Sequence, residues 1–97
     1  MKYRITLSPL ARAQFHGLCE YDRAKVRDAI DEHLQHNPTA ESKSRIKRLR
    51  DLRKPQYRLR VDDLRVFYDV EGAEVIVLGI VEKAHADEWL AETGERT

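Results

Sequence analysis

The sequence predicts an α+β fold with an N-terminal strand, an antiparallel helix hairpin, a three-stranded antiparallel meander and a C-terminal helix. Apolar residues alternate with polar ones at the start of the chain, recur every three or four positions from Leu10 to Leu34, and alternate again from Tyr57 onwards. Strands separated by turns of about two residues pair as antiparallel neighbours, and helices with a short connection form a hairpin. With 97 residues the chain supports one core, so we expect a single domain over residues 1–97.

The first half of the chain supplies one strand and two helices. Residues 2–7, KYRITL, alternate as a half-buried strand does. Ser8 and Pro9 are typical of a helix start, and this helix is expected to end near Glu20. Asp22 is the predicted N-cap of a second helix, which a His-Asn-Pro sequence brings to an end.

The second half supplies the meander and the last helix. A polar loop over residues 39–44 precedes a basic segment, and strands are predicted at 57–61 and 64–70 with an Asp-Asp turn between them. The run VIVLGIV at 75–81 reads as a buried strand. Residues 83–94, KAHADEWLAETG, are rich in helix formers and end in a glycine.

Composition and charge limit the classes of function. Hydrophobic residues make up 41% and charged residues 36%, which argues against disorder and membrane insertion. No secretory signal is visible, and a single cysteine suits a reducing cytoplasm. Residues 43–60 hold nine basic residues and one acidic residue, whereas the rest of the chain holds nine basic and 16 acidic ones. Such a split fits either an anionic partner or a solvated charged face.

Strand alternation predicts a row of arginines on one face of the sheet. Tyr57, Leu59 and Val61 alternate with Arg58 and Arg60, so the apolar residues face the core and the arginines face away.

The next strand continues this row. Arg65 alternates against Leu64 and Val66, and Phe67 follows on the arginine side as the best candidate for stacking on a base. Tyr68 is expected in the core with Tyr57, and Trp89 is expected to pack the last helix against the sheet.

A zinc site on the helix hairpin is the alternative that geometry opposes. The histidines and the cysteine sit at i, i+3 spacing on the two helices, as His16 with Cys19 and His33 with His36. In an antiparallel hairpin the two pairs lie roughly 15 Å apart at 1.5 Å per residue. We therefore predict no metal and no cofactor, and we expect Cys19 to be a small core residue.

The chain resembles the RelE/ParE superfamily, the toxins of type II toxin–antitoxin modules. The resemblance covers nearly the whole chain: the opening strand, the Ser-Pro helix hairpin that ends in Asn-Pro, the basic segment with Leu49, and the final apolar strand. Its most specific part is YRLRV-DD-LRVFYDV. The resemblance implies a compact sheet with a concave basic face.

The resemblance also implies an activity. RelE-like members enter the ribosomal A site and cut mRNA without metal, by helping a 2′-hydroxyl attack the adjacent phosphate. Arg65 matches the family's phosphate-binding strand arginine, and Arg58 and Arg60 match positions that carry catalytic lysines. These three, with His85, are the predicted catalytic residues. The predicted RNA contacts are Lys47, Arg48, Arg50, Arg53, Lys54, Phe67 and Lys83.

The sequence departs from the nuclease pattern at the proton-transfer positions. Arginine stays protonated, so Arg58 and Arg60 are poor bases although they stabilise negative charge well. Lys83 stands at the basic position after the last strand, and Leu90 stands where a tyrosine would be expected. His85 is the residue in this segment that exchanges protons near neutral pH, and a surface histidine without a role is the alternative.

Three functions follow as expectations. The first is a growth-inhibiting, ribosome-dependent mRNA interferase of a plasmid-stabilisation module. The second is inhibition of DNA gyrase, as in ParE-like members. The third is a toxin fold without activity that only binds its antitoxin. In each case the expected partner is a cognate antitoxin in a hetero-oligomer, with ribosome and mRNA, or gyrase, as the target.

Overall fold

The computed structural model describes residues 2–96. The elements in chain order are β1 (Arg4–Leu7), α1 (Pro9–Gly17), α2 (Glu20–His33), β2 (Ile46–Arg48), β3 (Leu52–Lys54), β4 (Tyr57–Val61), β5 (Leu64–Glu71), β6 (Glu74–Glu82), a 3-10 turn (Lys83–His85), α3 (Ala86–Thr93) and β7 (Glu95–Arg96).

A five-stranded mixed sheet forms the centre of the molecule, in the order β1-β6-β5-β4-β2. The strands β4, β5 and β6 form the predicted antiparallel meander, and β1 joins its edge in parallel with β6. The predicted α+β class is confirmed. Sequence alternation did not indicate β2, β3 and β7, because strands of two or three residues are too short to show a period.

The helix hairpin begins as predicted and turns earlier than predicted. The Ser8 hydroxyl accepts a hydrogen bond from the Ala11 amide at 3.1 Å, which caps α1. The prediction of Asp22 as the second N-cap is wrong, because Cys19 occupies that position with extended backbone and Asp22 lies inside the first turn. The side chain of Arg23 closes the short connection by donating to the carbonyls of His16 and Leu18.

Cys19 is exposed, which corrects the expectation that it is a core residue. The reason is the early turn: the cysteine caps α2 at the tip of the hairpin and does not lie on the inner face of α1.

The hairpin covers one face of the sheet and the core lies between them. Leu59, Val66 and Tyr68 from the sheet are fully buried against Val26 and Leu34 of the helix layer. Burial at this scale stabilises each such side chain by about 1.5–3 kcal/mol.

Two tyrosines belong to this core, as predicted. The rings of Tyr57 and Tyr68 stack at a centroid distance of 5.4 Å, and the Tyr68 hydroxyl donates to the Pro38 carbonyl at 2.6 Å. That bond satisfies a phenol buried far from water, and burial raises the pKa of Tyr68.

The opposite face of the sheet is partly covered by α3. The ring of Trp89 stacks on Phe67 at 5.0 Å with an interplanar angle of 14°, so the expected packing role of Trp89 is confirmed. Phe67 is fully buried, and the prediction that it is exposed is wrong. Gly79 makes the contact possible, because a Cβ there would stand 2.3 Å from the Trp89 ring.

No helix within residues 2–96 is long and apolar enough to cross a membrane. In the same residues, no three His, Cys, Asp or Glu side chains gather in a way that could hold a metal ion.

Candidate nucleic-acid interface

A groove of about 330 Å³ runs between the uncovered part of the sheet and the start of α3. We call it the basic groove, and its lining residues are Lys47, Leu49, Arg58, Arg65, Phe67, Lys83, Ala86, Asp87 and Leu90. Three of its four cations lie on the sheet: Lys47 on β2, Arg58 on β4 and Arg65 on β5. Lys47 lies opposite Arg58, and Arg58 lies opposite Phe67, in the pairing of these strands. The fourth cation, Lys83, begins the 3-10 turn that leads into α3.

Arg65 is the most constrained of these cations. Arg65 is only 6% exposed, so the prediction that it lies on an exposed face is wrong. Its Nη1 donates to the carbonyl oxygens of Asp62 and Leu64 at 2.8 and 2.9 Å. Burial lowers the pKa of Arg65, and the charges of Arg58 and Arg60 lower it further.

The three predicted arginines do not all reach the basic groove. Arg58 lines it, and its Nε is buried without a hydrogen-bond partner among the described residues. Arg60 lies directly opposite Arg65 in the β4–β5 ladder, is exposed, and does not line the groove.

Within residues 2–96, none of the four groove cations forms an ion pair with a carboxylate. Asp87 supplies a carboxylate to the lining from the first turn of α3. A donor such as Arg58 Nε that is buried without an acceptor costs about 1–3 kcal/mol. The cations and this free donor together favour an anionic ligand in the basic groove.

Three other cations of the basic run are held by carboxylates. Arg50 pairs with Glu41 at 3.0 Å, Arg53 pairs with Glu95, and Lys54 lies 3.7 Å from the carboxylate of Asp69. We call Arg50, Arg53 and Lys54 the paired cations. The hydrogen bond from the Arg48 amide and the charge of Arg50 lower the pKa of Glu41.

Arg48 occupies a third environment. Its guanidinium lies 5.0 Å from the centre of the Tyr57 ring, on the side of the sheet that carries the helix hairpin. Arg48 and Arg50 also line a cavity of about 440 Å³ next to the basic groove. The cavity and the groove share Lys47, Leu49, Asp87 and Leu90, so the two are continuous along α3.

His85 stands beside the basic groove and does not line it. His85 is exposed and occupies the N-cap position of α3, whereas Lys83 and Ala86 on either side contribute to the lining. The structure therefore brings Arg58, Arg65, Lys47 and Lys83 together and leaves Arg60 and His85 at the margin.

Sequence reasoning missed the apolar and acidic parts of the lining. Leu49, Ala86 and Leu90 border the cations, and Asp87 faces them. The sequence predicts Leu90 on the apolar side of the last helix with Trp89, but does not indicate that it lines a groove. No periodic signal marks these residues, because α3 is short and reaches the groove through the packing of Trp89.

Comparison with known proteins defines the class to which this fold belongs. Residues 5–86 match the model of the ParE toxin of type II toxin–antitoxin systems, parDE. The chain belongs to this family and is a type II toxin of the RelE/ParE superfamily. A comparison with curated proteins found no match.

Solved structures with the same fold come from archaea and bacteria. The chain has 22% identity and a TM-score of 0.69 to the archaeal RelE-RelB complex from Pyrococcus horikoshii OT3, covering 86% of this chain and 97% of that one. The toxin–antitoxin complex RelBE2 from Mycobacterium tuberculosis has 21% identity and a TM-score of 0.70, over 84% of this chain and 99% of that one. The YoeB dimer from Staphylococcus aureus has 18% identity and a TM-score of 0.60, over 84% of this chain and 97% of that one. At these identities the likeness shows a shared fold.

Proposed function

We propose that this toxin is a ribosome-dependent mRNA interferase that binds RNA phosphates in the basic groove. One observation carries the proposal: among residues 2–96, the four cations that line the groove have no carboxylate partner, and the buried Nε of Arg58 has no acceptor. A phosphodiester supplies both the negative charge and the acceptor oxygens. The resemblance of Arg58, Arg60 and Arg65 to the phosphate-binding and catalytic positions of RelE-like nucleases supports the choice of RNA.

The chemistry proposed for the groove is attack of a 2′-hydroxyl on the adjacent phosphate. The 2′-hydroxyl loses its proton as the bond from the 2′-oxygen to phosphorus forms. The 5′-oxygen gains a proton as its bond to phosphorus breaks, which leaves a 2′,3′-cyclic phosphate and a 5′-hydroxyl. Arg65 and Arg58 stabilise the charge that develops on the phosphate oxygens. Neither exchanges a proton at neutral pH, so they act electrostatically.

The proton-transfer residue is a separate part of the proposal. His85 stands next to the groove lining and carries an imidazole, the side chain that most often serves as a general acid or base, so we assign it the proton given to or taken from the RNA. Arg60 at the groove margin adds positive charge along the RNA path. A His85→Gln variant that cleaves at the wild-type rate would remove His85 from the chemistry.

Expression of the toxin alone in bacteria tests the proposal. We expect growth arrest, with primer extension showing cleavage inside translated messages, and we expect Arg65→Ala to reduce cleavage about a hundredfold. Arg53→Ala, which removes a paired cation, is the matched control and should retain cleavage. Intact messages during arrest would contradict the interferase assignment.

Gyrase inhibition is the second candidate. The family model that matches residues 5–86 describes ParE toxins, and the described residues that line the groove include no histidine or tyrosine for proton transfer. A supercoiling assay on the same purified toxin distinguishes the two. Blocked supercoiling with intact messages would establish the gyrase assignment, and an inert toxin would leave antitoxin binding as its remaining role.

The antitoxin is the proposed partner in either case. Solved structures that share the fold are RelE-RelB and RelBE2 complexes, which supports a cognate antitoxin for this chain in a hetero-oligomer. The unpaired cations of the groove offer an antitoxin carboxylate the same charges that they offer RNA. Competition between antitoxin and RNA for the groove is therefore expected.

A further inference from the structure

One aspartate in the β4–β5 turn connects helix α2 to Arg65. The carboxylate of Asp62 accepts a hydrogen bond from the Lys25 ammonium on α2. The backbone carbonyl of the same Asp62 accepts the bond from Arg65 Nη1 at 2.8 Å. The turn therefore contacts a helix cation through its side chain and the groove cation through its backbone.

Arg65 needs such an anchor because its neighbours repel it. Arg60 lies opposite it in the ladder, and Arg58 is a second like charge in the same groove. A long guanidinium side chain without an anchor would move away from these charges. The two carbonyls that hold Nη1 prevent this and leave Nε and Nη2 for a bidentate contact with an anion.

Asp62 in turn needs support to present its carbonyl. Its φ of 51° lies in the left-handed region, which residues other than glycine rarely adopt. The bond to Lys25 ties this turn to a fourteen-residue helix of the core layer. The hydrogen bond from Lys25 lowers the pKa of Asp62, and the charges of Arg45 and Arg60 lower it further.

We infer that Lys25 and Asp62 are positioning residues that hold the guanidinium of Arg65 in the basic groove through the β4–β5 turn. The inference rests on the proposed function, in which Arg65 contacts a phosphate. Neither residue lines the groove, so neither is assigned a contact with RNA.

The experiment measures RNA affinity of the full-length toxin with a fluorescent, non-cleavable RNA that carries 2′-deoxy substitutions. The variants are Lys25→Met and Asp62→Asn, since asparagine keeps the left-handed backbone and loses the charge. The matched control is Glu74→Gln, which breaks the Arg4–Glu74 ion pair at the far edge of the sheet. Thermal unfolding of each variant identifies losses that come from unfolding alone.

We expect both variants to weaken RNA binding about fivefold, which is the most that losing an exposed ion pair is expected to cost, and the control to stay within about twofold. The direction of the affinity change in the two variants distinguishes positioning of Arg65 from a direct electrostatic effect on the RNA. If Lys25 and Asp62 acted only through their charges, Lys25→Met would weaken binding and Asp62→Asn would strengthen it. That opposite pattern, or wild-type affinity in both variants, would overturn the inference.

A double-mutant cycle tests the route through Arg65. In an Arg65→Lys background, Lys25→Met should cause no further loss, because the guanidinium that it positions is gone. Equal losses in both backgrounds would contradict a route through Arg65.

A second readout separates this inference from the function on which it rests. NMR of the arginine side chains reports rotation about the Nε–Cζ bond of Arg65, which two carbonyls should slow in the wild type and which both variants should release. Released rotation in a toxin that binds no RNA would uphold the positioning and refute RNA as the ligand. Unchanged rotation in both variants would refute the positioning even if the toxin cleaves RNA.

Discussion

The basic groove and the paired cations come from the same stretch of sequence and differ in what surrounds them. Arg58 and Lys47 line the groove without carboxylate partners within residues 2–96, whereas Arg50 and Arg53 are held by Glu41 and Glu95. Exposed ion pairs such as these contribute at most about 1 kcal/mol to stability. The difference shows that a count of basic residues does not locate an anion-binding site, because carboxylates elsewhere in the fold neutralise some of those cations.

The largest expected effect comes from removing equal charge from the two groups. Arg58→Gln with Arg65→Gln should weaken RNA binding at least about a hundredfold, since both guanidiniums contact phosphate in the proposed site. Arg50→Gln with Arg53→Gln removes the same charge from the paired cations and should cost no more than about threefold. Fluorescence anisotropy with a non-cleavable RNA measures both. Equal losses of RNA affinity in the two double variants would show that only net charge matters and that the groove is not a distinct RNA site.

Moving the groove wall without changing any charge is expected to have the next largest effect. Gly79→Ala places a Cβ 2.3 Å from the Trp89 ring, so α3 must shift away from the sheet. We expect a loss of about 1–3 kcal/mol in the free energy of unfolding. Trp89 is the one tryptophan of the chain, so its fluorescence reports the shift directly.

Gly17→Ala is the control for this substitution, because nothing lies within 4 Å of the added Cβ. It should leave both the fluorescence and the stability near wild type. A Gly79→Ala protein with an unchanged tryptophan spectrum would mean that α3 tolerates the added methyl group.

The salt dependence of RNA binding sharpens the comparison at single residues. Each cation that contacts a phosphate of single-stranded RNA adds about 0.7 to the slope of log affinity against log salt. Lys83→Gln in the groove should reduce the slope by about that amount. Lys54→Gln should leave it unchanged, because Lys54 interacts with Asp69. An equal reduction in the two variants would place Lys54 on the RNA path.

The smallest expected effect is a pH dependence of stability that comes from Asp69, the carboxylate next to the paired cation Lys54. Burial raises the pKa of Asp69 despite the hydrogen bond from Gln56 and the charge of Lys54. Between the ordinary value of 3.8 and the raised pKa, the folded protein binds more protons than the unfolded chain. The free energy of unfolding should therefore fall as pH rises through this window. Asp69→Asn should flatten that decline in urea unfolding experiments.

Asp62→Asn provides the contrast of opposite sign. Because Lys25 lowers the pKa of Asp62, its contribution to stability is present above pH 3.8 and is lost as pH falls through the lowered pKa. Removing the carboxylate should weaken the loss of stability in acid. Identical pH profiles for the two variants would contradict both assignments.

The sequence by itself determined the elements that carry a strong period or a clear cap. The alternation of Tyr57, Leu59 and Val61 and the cap at Ser8 were enough to predict the meander and the helix hairpin. The same alternation assigned Arg58 and Arg65 to the face opposite the core. Period and capping are local properties, so a single sequence contains them.

Only the tertiary structure decided which charges are free and which aromatic rings are covered. Phe67 and Arg65 are buried because α3 and the β4–β5 turn fold over them, and neither event leaves a periodic signal. Arg53 is neutralised by Glu95, 42 positions away in the chain. Such contacts depend on how distant elements pack. The sequence therefore predicted a basic face, and the fold places on one groove four cations that form no ion pair with any carboxylate of residues 2–96.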